Sequence, residues 1–131
     1  HMSKINNAAI TAIKSYHDWL QTKSNVCHHE MVNALYQRLR GNYVIPKKLP
    51  IEYLRFHFRD NGTFLGVSIL HNSSTPKSVC DSLEVEINQA LESLNTFYTL
   101  APAKEIKTYE ISSIINSIKN YPVCLPHSKT M

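Results

Sequence analysis

Glycine is rare, at three in 131 residues, which argues against the Gly-rich loops that cradle phosphates. Cysteine is equally rare. Cys27, Cys80 and Cys124 are too few for a disulfide scaffold and contain no zinc-type CxxC pair. One disulfide with a free thiol, or three reduced thiols, both remain open. No apolar run reaches the roughly 18 residues that would suggest a membrane span, and the N-terminus does not read as a signal peptide. The chain also lacks GxSxG, HExxH and any pair of carboxylates with evident convergence. The expectation is a protein without catalytic activity, cofactor or resident metal.

What is present is ordinary for a globular protein: 43% hydrophobic and 18% charged residues. The length suits one domain, expected over residues 3–126, with 127–131 fraying at the end. His1-Met2 reads as a cloning scar. Either Met2 is a native start, or Ser3 follows a cut that removed an upstream segment.

The most readable stretch runs from Ile51 to Leu94. Residues 53 to 59 alternate, with Leu54, Phe56 and Phe58 on one face and Tyr53, Arg55, His57 and Arg59 on the other. Asp60-Asn61-Gly62 tolerates the positive φ angles of a tight, bulged reversal. A return strand over 63 to 71 then places Leu65, Val67 and Ile69 on one face, with Gly66 marking a close backbone approach. Thr75-Pro76 reads as an N-cap with proline at the first helical position. Val79, Leu83, Ile87, Ala90, Leu91 and Leu94 continue as one apolar stripe of a long helix covering the sheet.

Two helices are expected upstream. Ile5, Ala9, Ala12, Ile13, Tyr16 and Leu20 form the stripe of the first, with Trp19 beside it. Ser24 or Asn25 is expected to cap the second, whose stripe is Met31, Leu35 and Leu39, with Gly41 as a left-handed stop. Residues 42 to 50 read as an extended connection. Downstream, Ile111, Ile114, Ile115 and Ile118 fit a helix, yet a short helix over about 103 to 111 and a strand over 113 to 119 fit as well. Taken together, the expected fold is α+β, two N-terminal helices followed by a ββαβ unit.

Two clusters invite chemical readings. Arg38, Arg40, Lys47, Lys48, Arg55 and Arg59 gather within a stretch holding one acid, Glu52, and contribute to a formal net charge of +4. Such a patch attracts polyanions or acidic protein faces, but a solvated face is the commoner outcome. The alternation Arg55-Phe56-His57-Phe58-Arg59 is similar to that of RNA-binding sheets, except that its aromatics fall on the face to be buried. Cys27-His28-His29-Glu30 is dense in ligating groups, but adjacent helical residues diverge by about 100° and do not all converge on one ion without partners from elsewhere.

The hairpin from Leu54 to Leu70, followed by a polar loop, Pro76 and a helix opening Val79-Cys80, resembles the C-terminal domain of the TolA and TonB envelope proteins. The order and approximate lengths agree, and the helix before the hairpin and a last strand after the long helix also fit. The extra first helix departs from that pattern. The resemblance implies a non-enzymatic, periplasmic interaction domain of an inner-membrane-anchored protein, binding envelope proteins by strand addition at the edge of its last strand. By position that edge would be Ile114, Ile115, Asn116, Ser117, Ile118 and Lys119. Cys80 stands where TolA domains carry a cysteine, and the strand cysteine that usually pairs with it is missing. An oxidised Cys80 would therefore pair with Cys27 or Cys124. A free-standing cytosolic adaptor, a secreted effector or, more remotely, a nucleic-acid binder are the alternatives.

Overall fold

The computed structural model describes residues 4–46, 53–70, 76–95 and 105–120. In chain order these are α1 (Lys4–Gln21), α2 (His28–Gly41), β1 (Leu54–Arg59), β2 (Phe64–Ile69), α3 (Lys77–Leu94), β3 (Ile106–Glu110) and α4 (Ile111–Asn120). The strands form one antiparallel sheet in the order β2-β1-β3. The fold is thus α+β, with two helices before the ββαβ unit as expected and an additional helix after it.

β1 lies in the centre, and its alternation holds: Leu54, Phe56 and Phe58 are buried while Arg55, His57 and Arg59 stay half-exposed. The hairpin turn also follows its sequence. Gly62 takes φ +93°, the Gly62 N–H donates to the Arg59 carbonyl and the Arg59 N–H donates to the Thr63 carbonyl, while Asn61 Oδ1 accepts from the Thr63 N–H. A type I turn closed by a glycine bulge explains this pattern.

One residue later the expected faces of β2 change. Phe58 pairs with Phe64 but His57 pairs with Gly66, so Leu65 is an extra residue on β2. The bulge moves Phe64 into the core and turns Leu65 to half-exposure, whereas Val67 and Ile69 remain buried as predicted.

The apolar face of the sheet and all four helices share one core. α1 contributes Ala9, Ala12, Ile13 and Tyr16, whereas Ile5 is largely outside it. The Tyr16 hydroxyl donates to the Gly62 carbonyl at 3.3 Å, tying α1 to the hairpin turn, and burial pushes its phenol pKa up. α3 buries Leu83, Ile87, Ala90, Leu91 and Leu94 as expected. Cys80 takes the first inward place and Val79 points out.

The helix ends differ from the sequence reading. α2 is capped by Cys27, without a side-chain hydrogen bond, while Asn25 instead adopts a left-handed φ of 57° in the preceding loop. At its C-terminus the left-handed residue is Tyr43, φ 59°, rather than Gly41. The Tyr43 N–H donates to the Arg40 carbonyl and the Val44 N–H to the Leu39 carbonyl. These are the two bonds of a Schellman motif, and buried Leu39 and Val44 supply its usual apolar contact. α3 begins one residue later than predicted, with Pro76 as the residue before the helix. Thr75 lies outside the described residues.

The largest correction concerns the C-terminal part. Residues 106–110 form the strand and 111–120 the helix, the reverse of the helix-then-strand reading. Ile111 and Ile114 are buried and Ile115 packs against the core, so the three-and-four spacing of these isoleucines reported the local structure correctly. Ile114 to Lys119 cannot act as an edge strand.

Candidate functional site

The sheet has two outer strands, and their backbones meet different surroundings. On β2, Asn88 of α3 reaches across: its Oδ1 accepts from the Val67 N–H at 3.1 Å and its Nδ2 donates to the Val67 carbonyl at 3.3 Å. Glu84, one turn earlier, accepts from the Ile69 N–H at 2.7 Å. Gly66 makes this approach feasible. It has φ +146°, and a Cβ there would lie 2.6 Å from Asn88 Oδ1, which is the close contact its sequence position suggested. The helix therefore occupies the hydrogen-bonding edge of β2.

β3 has β1 on one side and, among the described residues, no strand on the other. Its orientation follows from β1. Arg59 spends both its N–H and its carbonyl on the β2 side, and Tyr53 receives Leu70 on that same side. Because successive residues point their backbone groups to opposite sides, Phe56 and Phe58 face β3. Their partners are Tyr109 and Lys107. It follows that Ile106, Thr108 and Glu110 direct their N–H and carbonyl groups away from β1, to a side where no described strand pairs with them.

The side chains of β3 divide the same way. Tyr109 packs on the helical side near Phe58, with ring centroids 6.1 Å apart, and its hydroxyl shares a hydrogen bond with His28 Nδ1 at the start of α2. Burial is the main cause that raises the Tyr109 phenol pKa and lowers that of His28, where Lys107 adds to the effect and Asp60 opposes it. On the opposite face Arg55 pairs with Glu110 at 3.0 Å. His57 spans all three strands, with Nδ1 2.9 Å from Thr108 Oγ1 and Nε2 2.8 Å from Ser68 Oγ. Its pKa is lowered, first by burial and then by Arg55, against Glu84.

The described members of the basic cluster, Arg38, Arg40, Arg55 and Arg59, do not converge. Arg38 lies beside the Trp19 ring at 5.5 Å and donates to Ser15, and Arg40 donates to the Tyr36 hydroxyl. These belong to the α1–α2 layer, while Arg55 and Arg59 lie on the sheet face opposite the core. Lys47 and Lys48 lie outside the described residues. Among the described cysteines, Cys80 is a buried free thiol, which overturns its pairing with Cys27 or Cys124, whereas Cys27 is disulfide-bonded, in line with the reading of one disulfide and a free thiol. Burial raises the Cys80 thiol pKa, with Asp81 and Glu84 adding to it. Cys124 itself lies outside the described residues. No group of three or more His, Cys, Asp or Glu among the described residues could hold a metal ion, and no described helix is long and apolar enough to cross a membrane.

Of the six residues suggested for partner binding, Ile114 is buried, Ile115 is half-buried and Asn116 is exposed on α4, so they form no edge. Ile106, Thr108 and Glu110 were not singled out by sequence reasoning. Set against known proteins, the chain matches no family model, no curated protein and no solved structure.

Proposed function

We propose that this chain is a non-enzymatic protein-interaction domain that binds an extended segment of a partner protein along the outer edge of β3. The observation that carries this reading is the contrast between the strands: α3 occupies the backbone groups of β2, while Ile106, Thr108 and Glu110 present theirs outward. An added strand would gain main-chain hydrogen bonds there and take its selectivity from the side chains beside it. Exposed Ile106 offers apolar contact, and Arg55 with Glu110 offers a charged pair.

In the same proposal the domain works in the cell envelope, in the manner of the Tol and Ton domains that the hairpin and long helix resemble, and its partners are envelope proteins. The disulfide at Cys27 supports an oxidising compartment such as the periplasm. The dispersed arginines weigh against a nucleic-acid surface, for which phosphate contacts would have to line one groove.

A displayed library of extended peptides provides the test. Binders should protect the Thr108 amide from exchange and lose affinity for a Thr108→Pro variant, which removes one outward donor and leaves the β1–β3 ladder its own bonds. Binders that protect other residues and ignore this substitution would reject the edge. An apolar segment of about 20 residues encoded upstream of Ser3 would support the envelope anchor, and a start codon at Met2 would oppose it.

A further inference from the structure

At the end of the molecule where α1 turns into α2 lies a cavity of about 300 Å³, bounded by the C-terminal end of α1, the loop to α2 and the hairpin turn. That is the lower end of the volumes typical of small-molecule sites. Leu20, Val26 and Met31 line it with apolar surface, and Lys23, His28 and Asn61 bring polar groups to the same space. The walls are constrained: Gly62 is held at φ +93° with Met31 against it, since a Cβ there would lie 2.9 Å from the Met31 sulfur.

The polar groups are mostly donors. Asn61 uses its Oδ1 on the Thr63 N–H, which leaves its Nδ2 protons available. Tyr109 occupies His28 Nδ1; a phenol donating there leaves the neutral ring's own proton on Nε2. Lys23 rests 6.0 Å from the Trp19 ring and makes no ion pair among the described residues. α2 starts here without a side-chain cap, so its first-turn N–H groups add positive potential, offset in part by Glu30 in the same turn. Asp60, the one carboxylate among the described wall residues, faces Lys107 at 3.8 Å, which offsets part of its charge. Donors thus outnumber acceptors, with Lys23 set against Asp60, on a mostly polar surface to which Leu20, Val26 and Met31 add apolar patches.

We propose that this cavity binds a small organic anion, a carboxylate on a short apolar body, with Lys23, His28 and Asn61 taking the carboxylate and Leu20, Val26 and Met31 the apolar part. The site is separate from the β3 edge and does not depend on its role.

The test is a titration of the full chain with hexanoate, followed by amide chemical shifts, with hexanamide and inorganic phosphate as controls. Hexanoate should give saturable shifts centred on Lys23, His28 and Asn61. Hexanamide, which lacks the charge, and phosphate, which lacks the apolar body, should each bind about tenfold more weakly, the difference made by one charged hydrogen bond or a few buried methylenes. Lys23→Ala, at an exposed position, should leave the thermal midpoint unchanged and weaken hexanoate by a similar factor. No saturable shift with hexanoate overturns the proposal. So does equal affinity for hexanamide or for phosphate, or undiminished binding by a folded Lys23→Ala protein.

Discussion

β2 gives the N–H and carbonyl of Val67 to Asn88 and the N–H of Ile69 to Glu84, whereas β3 turns Ile106, Thr108 and Glu110 outward with no strand beside them among the described residues. The two strands have similar lengths and share β1 as their neighbour, so intrinsic strand propensity does not separate them. What separates them is the helix. α3 runs close enough to β2, over Gly66, for a side-chain amide to imitate a neighbouring strand. Such covering is one way proteins keep an edge from pairing with other chains. A strand left uncovered is then a place to look for pairing that is wanted.

The largest expected effect lies in the strand both edges share. Phe56→Ala should cost about 3 to 5 kcal/mol in chemical denaturation, since Phe56 is fully buried. A loss below about 1 kcal/mol would mean that β1 does not anchor the two edges to one core.

Next comes the closed edge. Asn88→Ala strands the backbone groups of Val67 and should cost about 1 to 3 kcal/mol, with faster amide exchange at Val67. Because a second open edge is created, self-association should rise with protein concentration in sedimentation experiments. Unchanged exchange at Val67 would contradict the covering role of α3.

A smaller change in stability is expected at the open edge. Thr108→Pro should cost only on the order of 1 kcal/mol, yet abolish strand addition, whereas Thr108→Val retains the backbone donor and should still bind. If both variants lose binding equally, the hydroxyl and its bond to His57 matter rather than the edge.

The smallest effect concerns the histidine that touches both outer strands. The His57 pKa is lowered in the folded protein, so its unfolded form takes up a proton first as pH falls. Stability is therefore present above the ordinary histidine value of about 6.5 and is lost as pH falls through the folded value. His17 and His28 are shifted the same way, chiefly by burial. Thermal midpoints should decline below about pH 6.5, and His57→Gln should flatten part of that decline. A pH profile of His57→Gln that parallels the parent would remove His57 from this account.

Much of the fold was legible because its signals are local. The alternation of β1, the bulged turn at Gly62 and the stripes of α1, α2 and α3 each depend on residues a few positions apart, and each is present. The candidate site was not legible. β3 reads Ile-Lys-Thr-Tyr-Glu, an edge strand with little to bury and hence no apolar alternation, while the isoleucines after it carry a helical spacing that the family resemblance overrode. The bulge at Leu65 was equally hidden, since its position is decided by the packing of Phe64 into the core.

Local periodicity set most of the inward faces, since side-chain direction repeats every two residues in a strand and about every 3.6 in a helix, with Ile5, Leu65 and Val79 as exceptions. Tertiary structure decided which strand edge is closed, which cysteine is oxidised and where the cavity opens. Those outcomes join groups far apart in the chain: Val67 with Asn88, His28 with Tyr109, Lys23 with Asn61. No local period encodes such meetings. They arise when the shared apolar core draws α3 over Gly66 and sets the start of α2 beside the hairpin turn.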